Sequence, residues 1–201
     1  GLNVDEIDRQ AVRFGMPMGP FRLLDEVGLD VAAKVADVME SSYGVRMKGP
    51  NYAAQLVGVG RLGKKSGKGF YRYRDGKHEN DPDLASLLPL KADPTRTTAA
   101  RDVISSRLIL AMVNEAVRCF DDGVAGVPGK EAAGQIDLAA VMGLGFPPFR
   151  GGVIRYAAML GAQAICQSLI DFEKRFGVRY APAPGIQARA KNGLSFYEKL
   201  S

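Results

Sequence analysis

Apolar residues recur with helical spacing along most of this chain. The same period marks residues 29–39 and 162–172, and apolar against polar alternation is confined to residues 70–73. A three-to-four-residue repeat is typical of one helix face, and strict alternation is typical of a strand. The pattern predicts an all-α fold with at most one brief strand. The longest periodic stretch, residues 99–122, has apolar positions at Val103, Ile104, Leu108, Met112, Ala116, Cys119 and Phe120.

An internal repeat organises the chain. Four pairs of short motifs match in the same order and at nearly constant offset: residues 7–12 with 136–141, 15–17 with 145–147, 43–47 with 176–180, and 67–71 with 193–197. Repetition of this kind indicates duplicated structural units. The sequence therefore predicts two similar helical units, at residues 1–74 and 97–201. Between them we expect a linker at residues 75–96, which is polar and contains two Asp-Pro steps.

The two predicted units begin differently. The second opens with the predicted helix at 99–122, upstream of its Ile-Asp motif, whereas the first begins almost at its own Ile-Asp motif. If the units are copies, the helix missing from the first lies in a preceding segment of a longer protein. The start of the chain without Met supports the same expectation. A single small unit has limited core, so we expect the two units to pack together as a pseudo-dimer.

Composition favours a cytoplasmic protein. The hydrophobic fraction is 46% and the charged fraction 24%, and no apolar run approaches the roughly 18–20 residues of a membrane span. Cys119 and Cys166 are far apart in predicted helices, so we interpret them as two buried thiols of a reducing compartment. The net charge is +5, and the 22 acidic residues are spread among the 27 basic ones. This mixed distribution favours a role of the charge in solubility over nucleic-acid binding.

The glycine-rich, basic segment at residues 58–68 is the first candidate site. Gly58, Gly60 and Gly63 formally give Gly-x-Gly-x-x-Gly, but no strand precedes them and another glycine-rich turn follows. As a phosphate loop the segment has Lys65 where Ser or Thr should bind Mg²⁺. We interpret it as a tight exposed loop. A contact between its lysines and a CoA phosphate stays open, and so does a nucleic-acid-binding module, although few aromatic residues accompany the basic ones.

Metal and acid–base chemistry have little support in the sequence. His78 is the only histidine and lies in a polar turn, where we expect it at the surface. One histidine and two distant cysteines do not make a metal site. We therefore assign no catalytic and no metal-binding residue.

The most unusual local sequence is the turn at residues 15–21. We predict Met16, Pro17, Met18, Gly19 and Pro20 as substrate-binding residues, because prolines and glycines fix the backbone while two adaptable thioethers could line an apolar acyl pocket. The alternative is a rigid interhelical turn plugged into the core. The second-unit stretch at residues 146–149 should be purely structural.

These motifs resemble a known family. Residues 7–8, 15–21, 24–30 and 67–71 resemble the C-terminal domain of 3-hydroxyacyl-CoA dehydrogenases. Residues 113–119 and 143–152 resemble the last domain of multifunctional fatty-acid oxidation enzymes. The resemblance implies a tandem copy of that helical domain, with a fold like the C-terminal domain of 6-phosphogluconate dehydrogenase. The tandem copy favours the multifunctional enzyme over the single-function dehydrogenase.

The resemblance also implies a function for the intact protein. An upstream Rossmann domain would bind NAD and carry the catalytic His–Glu pair, after a hydratase/isomerase domain, and a thiolase subunit is a possible partner. The helical units would close over acyl-CoA. Where the family has an Asn-Arg pair the second unit has Ser106-Arg107, so we expect no cofactor site and no redox activity in this chain alone. A helical scaffold module remains the alternative from another class.

Overall fold

The structure is a computed structural model that describes residues 2–88 and 101–198. The chain forms two compact units. The first comprises Gly1–Phe14 and Met18–Ser105, and the second comprises Gly15–Pro17 and Ser106–Ser201. Both described parts are helical, as the periodicity predicted, and the all-α fold class is confirmed.

The first unit is built from four helices, a hairpin and a short fifth helix. Glycines end or separate the helices, since Gly28 lies between α2 and α3 and Gly44 follows α3, both with positive φ. Asn51 caps α4 by accepting a hydrogen bond from the Ala54 amide. The bounds are α1 Val4–Phe14, α2 Pro20–Val27, α3 Leu29–Tyr43, α4 Tyr52–Gly58, β1 Tyr71–Arg74, β2 Lys77–Asn80 and α5 Leu84–Leu87.

The hairpin only partly matches the sequence-based expectation. The predicted brief strand is present as β1, and β2 pairs with it in antiparallel register, with Tyr73 opposite His78. The β2 residues are exposed and polar, so the strand has no apolar periodicity by which it could be recognised.

Residues 75–88 of the predicted linker belong to the first unit. Asp81 forms a buried ion pair with Arg61, and Leu84 and Leu88 are 5% and 4% exposed in the core of this unit. Burial of leucines fixes the segment against the helices even though its composition is polar. Residues 89–96 of the expected linker lie outside the described residues. The core of the unit consists of Val4, Leu29, Ala33, Ala53, Leu56, Phe70, Tyr71, Leu84 and Leu88.

The long predicted helix opens the second described part of the chain. Its described part is α6, Arg101–Asp121, which ends before Gly123 in a left-handed conformation, as the sequence indicated. Val113 and Val117 are fully buried on its apolar face. The remaining helices are α7 Lys130–Leu144, α8 Val153–Leu160, α9 Ala162–Phe176 and α10 Pro184–Asn192.

Two helices of each unit have matching lengths. Helices α2 and α8 each have 8 residues, and α3 and α9 each have 15. A single glycine separates each pair, Gly28 in the first unit and Gly161 in the second. The two copies can therefore be compared residue by residue through these helices at a constant offset.

Among residues 2–88 and 101–198, no single helix is long and apolar enough to cross a membrane. The consecutive helices α8 and α9 reach the required length and composition only together, and the chain bends by 96° between them. Cys119 is exposed and Cys166 half-buried, and they do not form a disulfide with each other. The expectation of two buried thiols is thus wrong for Cys119, which lies on the solvent side of α6.

Candidate functional site

A buried aspartate explains the Ile-Asp motif of the first unit. The Asp8 carboxylate accepts hydrogen bonds from the Phe21 and Arg22 amides, both at 2.9 Å, and from the Tyr71 hydroxyl at 2.8 Å. Those amides lie in the first turn of α2, where helix N–H groups have no partner within the helix. Burial raises the pKa of Asp8, and these hydrogen bonds oppose the rise. Asp8 is therefore the N-terminal cap of α2, supplied from α1.

The second unit repeats this cap. The Asp137 carboxylate accepts from the Ile154 amide at 2.6 Å and from the Arg155 amide at 3.2 Å, in the first turn of α8. A Cβ at Gly152 would overlap the Asp137 side chain, just as a Cβ at Gly19 would overlap Asp8. The motif thus needs an aspartate on one helix and a glycine before the next. Gly19 therefore corresponds to Gly152. This alignment of the two copies differs from the sequence match of residues 15–17 with 145–147.

The five predicted substrate-binding residues lie in the turn between α1 and α2, but they do not all lie within one unit. Met16 and Pro17 group with the second unit, and Met18, Gly19 and Pro20 with the first. Both methionines are half-buried and Pro17 is exposed. Gly19 is buried against Asp8, so its role in the turn is structural.

The second-unit stretch at residues 146–149 is buried at one end and exposed at the other. Phe146 is fully buried and Pro147 is buried, in agreement with packing. Phe149, however, is 75% exposed. Its ring lies so close to Gly15 that a Cβ there would overlap it. Because most of the ring is in solvent, Phe149 is not a core residue, and a purely structural role for it stays a prediction.

The glycine-rich segment at residues 58–69 is organised by a carboxylate of the protein itself. Asp25, which is 1% exposed, accepts from the Phe70 and Tyr71 amides at 2.8 and 2.9 Å and from the Tyr73 hydroxyl at 3.0 Å. A Cβ at Gly63 or Gly69 would overlap Asp25. Burial raises the pKa of Asp25 against these hydrogen bonds. The glycines are required by Asp25, which supports the tight-loop interpretation.

Three basic residues of the same segment have acidic partners. Lys64 pairs with Glu26 at 2.9 Å and Lys65 with Asp30, while Arg61 is buried and pairs with Asp81. Partnered lysines offer little net charge to a nucleic-acid backbone or a dinucleotide. No strand lies within residues 2–57, which precede the segment, and the Asp25 carboxylate occupies its interior. The residues present here therefore do not fit NAD.

His78 and the other polar candidates have surface or packing roles. His78 is exposed on β2, with its ring 5.0 Å from that of Tyr71. In the part of the chain that the structure describes, no three metal-ligating side chains cluster. Arg107, next to Ser106, stacks 3.9 Å above the Phe176 ring and donates to the Tyr180 hydroxyl at 3.2 Å. Those contacts stabilise the second unit.

Two buried polar groups of the second unit were not predicted. Asn114 holds the turn before α10, since its side chain donates to the Ala181 carbonyl at 2.9 Å and accepts from the Ala183 amide at 2.8 Å. Arg189 is completely buried and binds both carboxylate oxygens of Asp121, at 2.8 and 3.1 Å. Their partners lie 67 to 69 residues away, so local sequence carries no signal for them.

Comparisons with known proteins agree with this picture. Residues 1–73 match the family described as 3-hydroxyacyl-CoA dehydrogenase, C-terminal domain. The first unit of the chain is thus similar to this domain family over residues 1–73. It is 41% identical over 195 residues to the fatty acid oxidation complex subunit alpha of Vibrio vulnificus, and 38% identical over 200 residues to that of Shewanella loihica. These matches cover 97% and 98% of the chain but only 26% and 27% of the relatives, so the chain spans about a quarter of their length.

Solved dehydrogenase structures share the fold. The chain superposes with TM-score 0.69 on the 3-hydroxybutyryl-CoA dehydrogenase of Escherichia coli, at 23% identity, covering 95% of this chain and 55% of that one. With the dehydrogenase part of a multifunctional enzyme from Caenorhabditis elegans the TM-score is 0.65 at 24% identity, covering 93% and 42%. The predicted fold type is confirmed.

Proposed function

We propose that the chain is the helical, substrate-side part of an NAD-dependent 3-hydroxyacyl-CoA dehydrogenase that works in fatty-acid β-oxidation. The observation that carries this proposal is the match of nearly the whole chain to fatty acid oxidation complex alpha subunits. The intact protein would also contain enoyl-CoA hydratase and isomerase activities. It would act in the cytoplasm and assemble with a thiolase subunit.

The redox chemistry belongs to a domain outside this chain. NAD, when bound there, would accept hydride from the 3-hydroxyl carbon of the substrate. The buried carboxylates of the described residues already have partners within the protein. Asp8 and Asp137 cap helices, Asp25 binds residues 70–73, and Asp81 pairs with Arg61. The role of this chain would therefore be to shape the substrate-binding surface and to pack the protein.

Within that function, we propose the turn containing Met16, Pro17, Met18, Gly19 and Pro20 as an acyl-facing surface. The half-burial of both methionines supports this, since each side chain is partly accessible while its backbone is fixed. We also retain the proposal that residues 1–74 and 97–201 are copies related by a pseudo-twofold axis. A crystal structure of the protein in which the two copies superpose about such an axis would test that arrangement.

An activity assay tests the function. The longer protein that contains this chain should reduce NAD when given 3-hydroxyacyl-CoA, whereas the 201-residue chain alone should give no NADH and no heat of NAD binding in a calorimetric titration. Absence of NADH formation by the longer protein, with correctly folded material, would overturn the proposed activity. Micromolar NAD binding to the chain alone would overturn the assignment of the cofactor to another domain.

A further inference from the structure

The two copies differ at the position of the buried Asp25. At the constant offset through α2 and α8, Asp25 of the first unit corresponds to Ala158 of the second. In the first unit the Asp25 carboxylate binds the amides of Phe70 and Tyr71 and fills the space beneath them. The second unit has no carboxylate at this position.

A cavity lies at this place in the second unit. Its volume is about 640 Å³, and its lining includes Ala158, Ser195 and Tyr197. By the repeat of residues 67–71 with 193–197, Ser195 and Tyr197 correspond to Gly69 and Tyr71, the residues that surround Asp25 in the first unit. The second unit is therefore open where the first supplies its own anion.

The two charged residues that line the cavity are both basic. Arg150 and Arg155 both line it. Two acidic side chains lie nearby. Asp137 accepts from the Ile154 and Arg155 amides and also attracts the Arg155 charge, while Glu198 accepts from the Ser195 amide. Guanidinium groups bind carboxylate and phosphate with paired, charge-assisted hydrogen bonds.

The remaining wall is apolar and open to solvent. Phe149 is 75% exposed and Met159 is 66% exposed, and both line the cavity. The Arg150 guanidinium lies 5.3 Å from the centre of the Phe149 ring. The charged part of the cavity wall is therefore next to the apolar part. A volume of about 640 Å³ lies within the range of small-molecule pockets.

We propose that this cavity binds a small organic anion with an apolar body. Its carboxylate or phosphate would take the place that Asp25 fills in the first unit, held by Arg150 and Arg155. Its apolar part would lie on Phe149 and Met159. The site does not depend on the proposed dehydrogenase activity, because all of its residues lie in the second unit.

Binding to the whole chain is the test. Hexanoate and hexyl phosphate present the two head groups, and hexanol and inorganic phosphate are the matched ligands that lack either the charge or the apolar body. We expect saturable one-to-one binding of at least one hexyl anion, with chemical-shift changes at Ala158 and Ser195 in NMR spectra. Hexanol and inorganic phosphate should bind at least about ten-fold more weakly, because hexanol lacks the charge and inorganic phosphate lacks the apolar body.

Variants locate the site. Arg155→Gln replaces an exposed side chain and should weaken binding about ten-fold. Arg22→Gln is the matched control, because Arg22 occupies the same helix position in the first unit, and it should leave affinity unchanged. Ala158→Asp restores the first unit's carboxylate and should abolish binding. Three results would each overturn the proposal: no saturable binding of either anion, equal affinity for hexanol, or equal losses in the Arg155 and Arg22 variants.

Discussion

Replacing Asp25 by alanine should destabilise the first unit strongly. The substitution leaves two buried amides, those of Phe70 and Tyr71, and the Tyr73 hydroxyl without their acceptor. Hydrogen bonds to a charged group are worth roughly 1.5–3 kcal/mol each. Losing three of them would cost at least about 4.5 kcal/mol. Alanine also removes the cost of burying a charged carboxylate, and this gain offsets part of the loss. We expect the free energy of unfolding to fall by about 3 kcal/mol.

Urea unfolding followed by circular dichroism measures this loss, and amide hydrogen exchange locates it. Exchange should accelerate first at Phe70 and Tyr71. The control is Glu26→Ala, the adjacent residue, whose carboxylate is partly exposed and pairs with Lys64. That change should cost less than about 1 kcal/mol, as surface ion pairs do. If Asp25→Ala costs no more than the control, Asp25 does not organise the glycine-rich segment.

Three further outcomes are expected. Gly19→Ala and Gly152→Ala should each lower the free energy of unfolding by about 2 kcal/mol or more in urea, because the added Cβ overlaps the capping aspartate. The control is Gly134→Ala, in an exposed and uncrowded helix position, which should raise it by about 0.5–1 kcal/mol. Equal effects of the three substitutions would contradict the idea that the aspartates require these glycines. Burial raises the pKa of Asp137 above its ordinary 3.8, so folding takes up a proton there and its contribution to the free energy of unfolding grows as the pH falls from neutral towards about 4. Asp137→Asn should make the free energy of unfolding less dependent on pH in this range. An unchanged pH dependence would contradict a raised pKa of Asp137 in the folded protein. In the longer protein, Met18→Ala should raise KM or lower kcat for long acyl substrates by the equivalent of about 1–2 kcal/mol, and unchanged chain-length dependence with only lower stability would make the turn a packing element.

The helices could be predicted because local sequence determines them. Apolar residues at helical spacing mark α3, α6 and α9, and glycines end them where a left-handed backbone is required. The repeat was recognisable for the same reason, since its motifs surround these helix ends. Local periodicity, however, says nothing about how exposed polar residues pair, and the strand Lys77–Asn80 was therefore missed.

The candidate site was less predictable because its contacts are distant in sequence. Asp25 meets its partners 45 to 48 residues away, and no local pattern distinguishes it from a surface acid. The same limit affected Phe149, whose position beside two glycines and two prolines indicated a rigid turn but not the direction of the ring. Comparison of the copies at constant offset would have exposed one signal, namely the replacement of Asp25 by Ala158.

The capping aspartates are present in both copies, whereas Asp25 is present only in the first, because the two kinds of carboxylate have different partners. Asp8 and Asp137 satisfy helix amides that have no other partner within the helix, so each copy needs its aspartate and the glycine that admits it. Asp25 instead joins α2 to residues 70–73, and in our proposal a ligand's anion takes the corresponding place in the second copy. Loss of a capping aspartate would leave a helix end unsatisfied, whereas loss of the joining aspartate leaves an opening. With Ala158 at that position and Arg150 and Arg155 at its edge, the second copy can have acquired a binding site without giving up a helix.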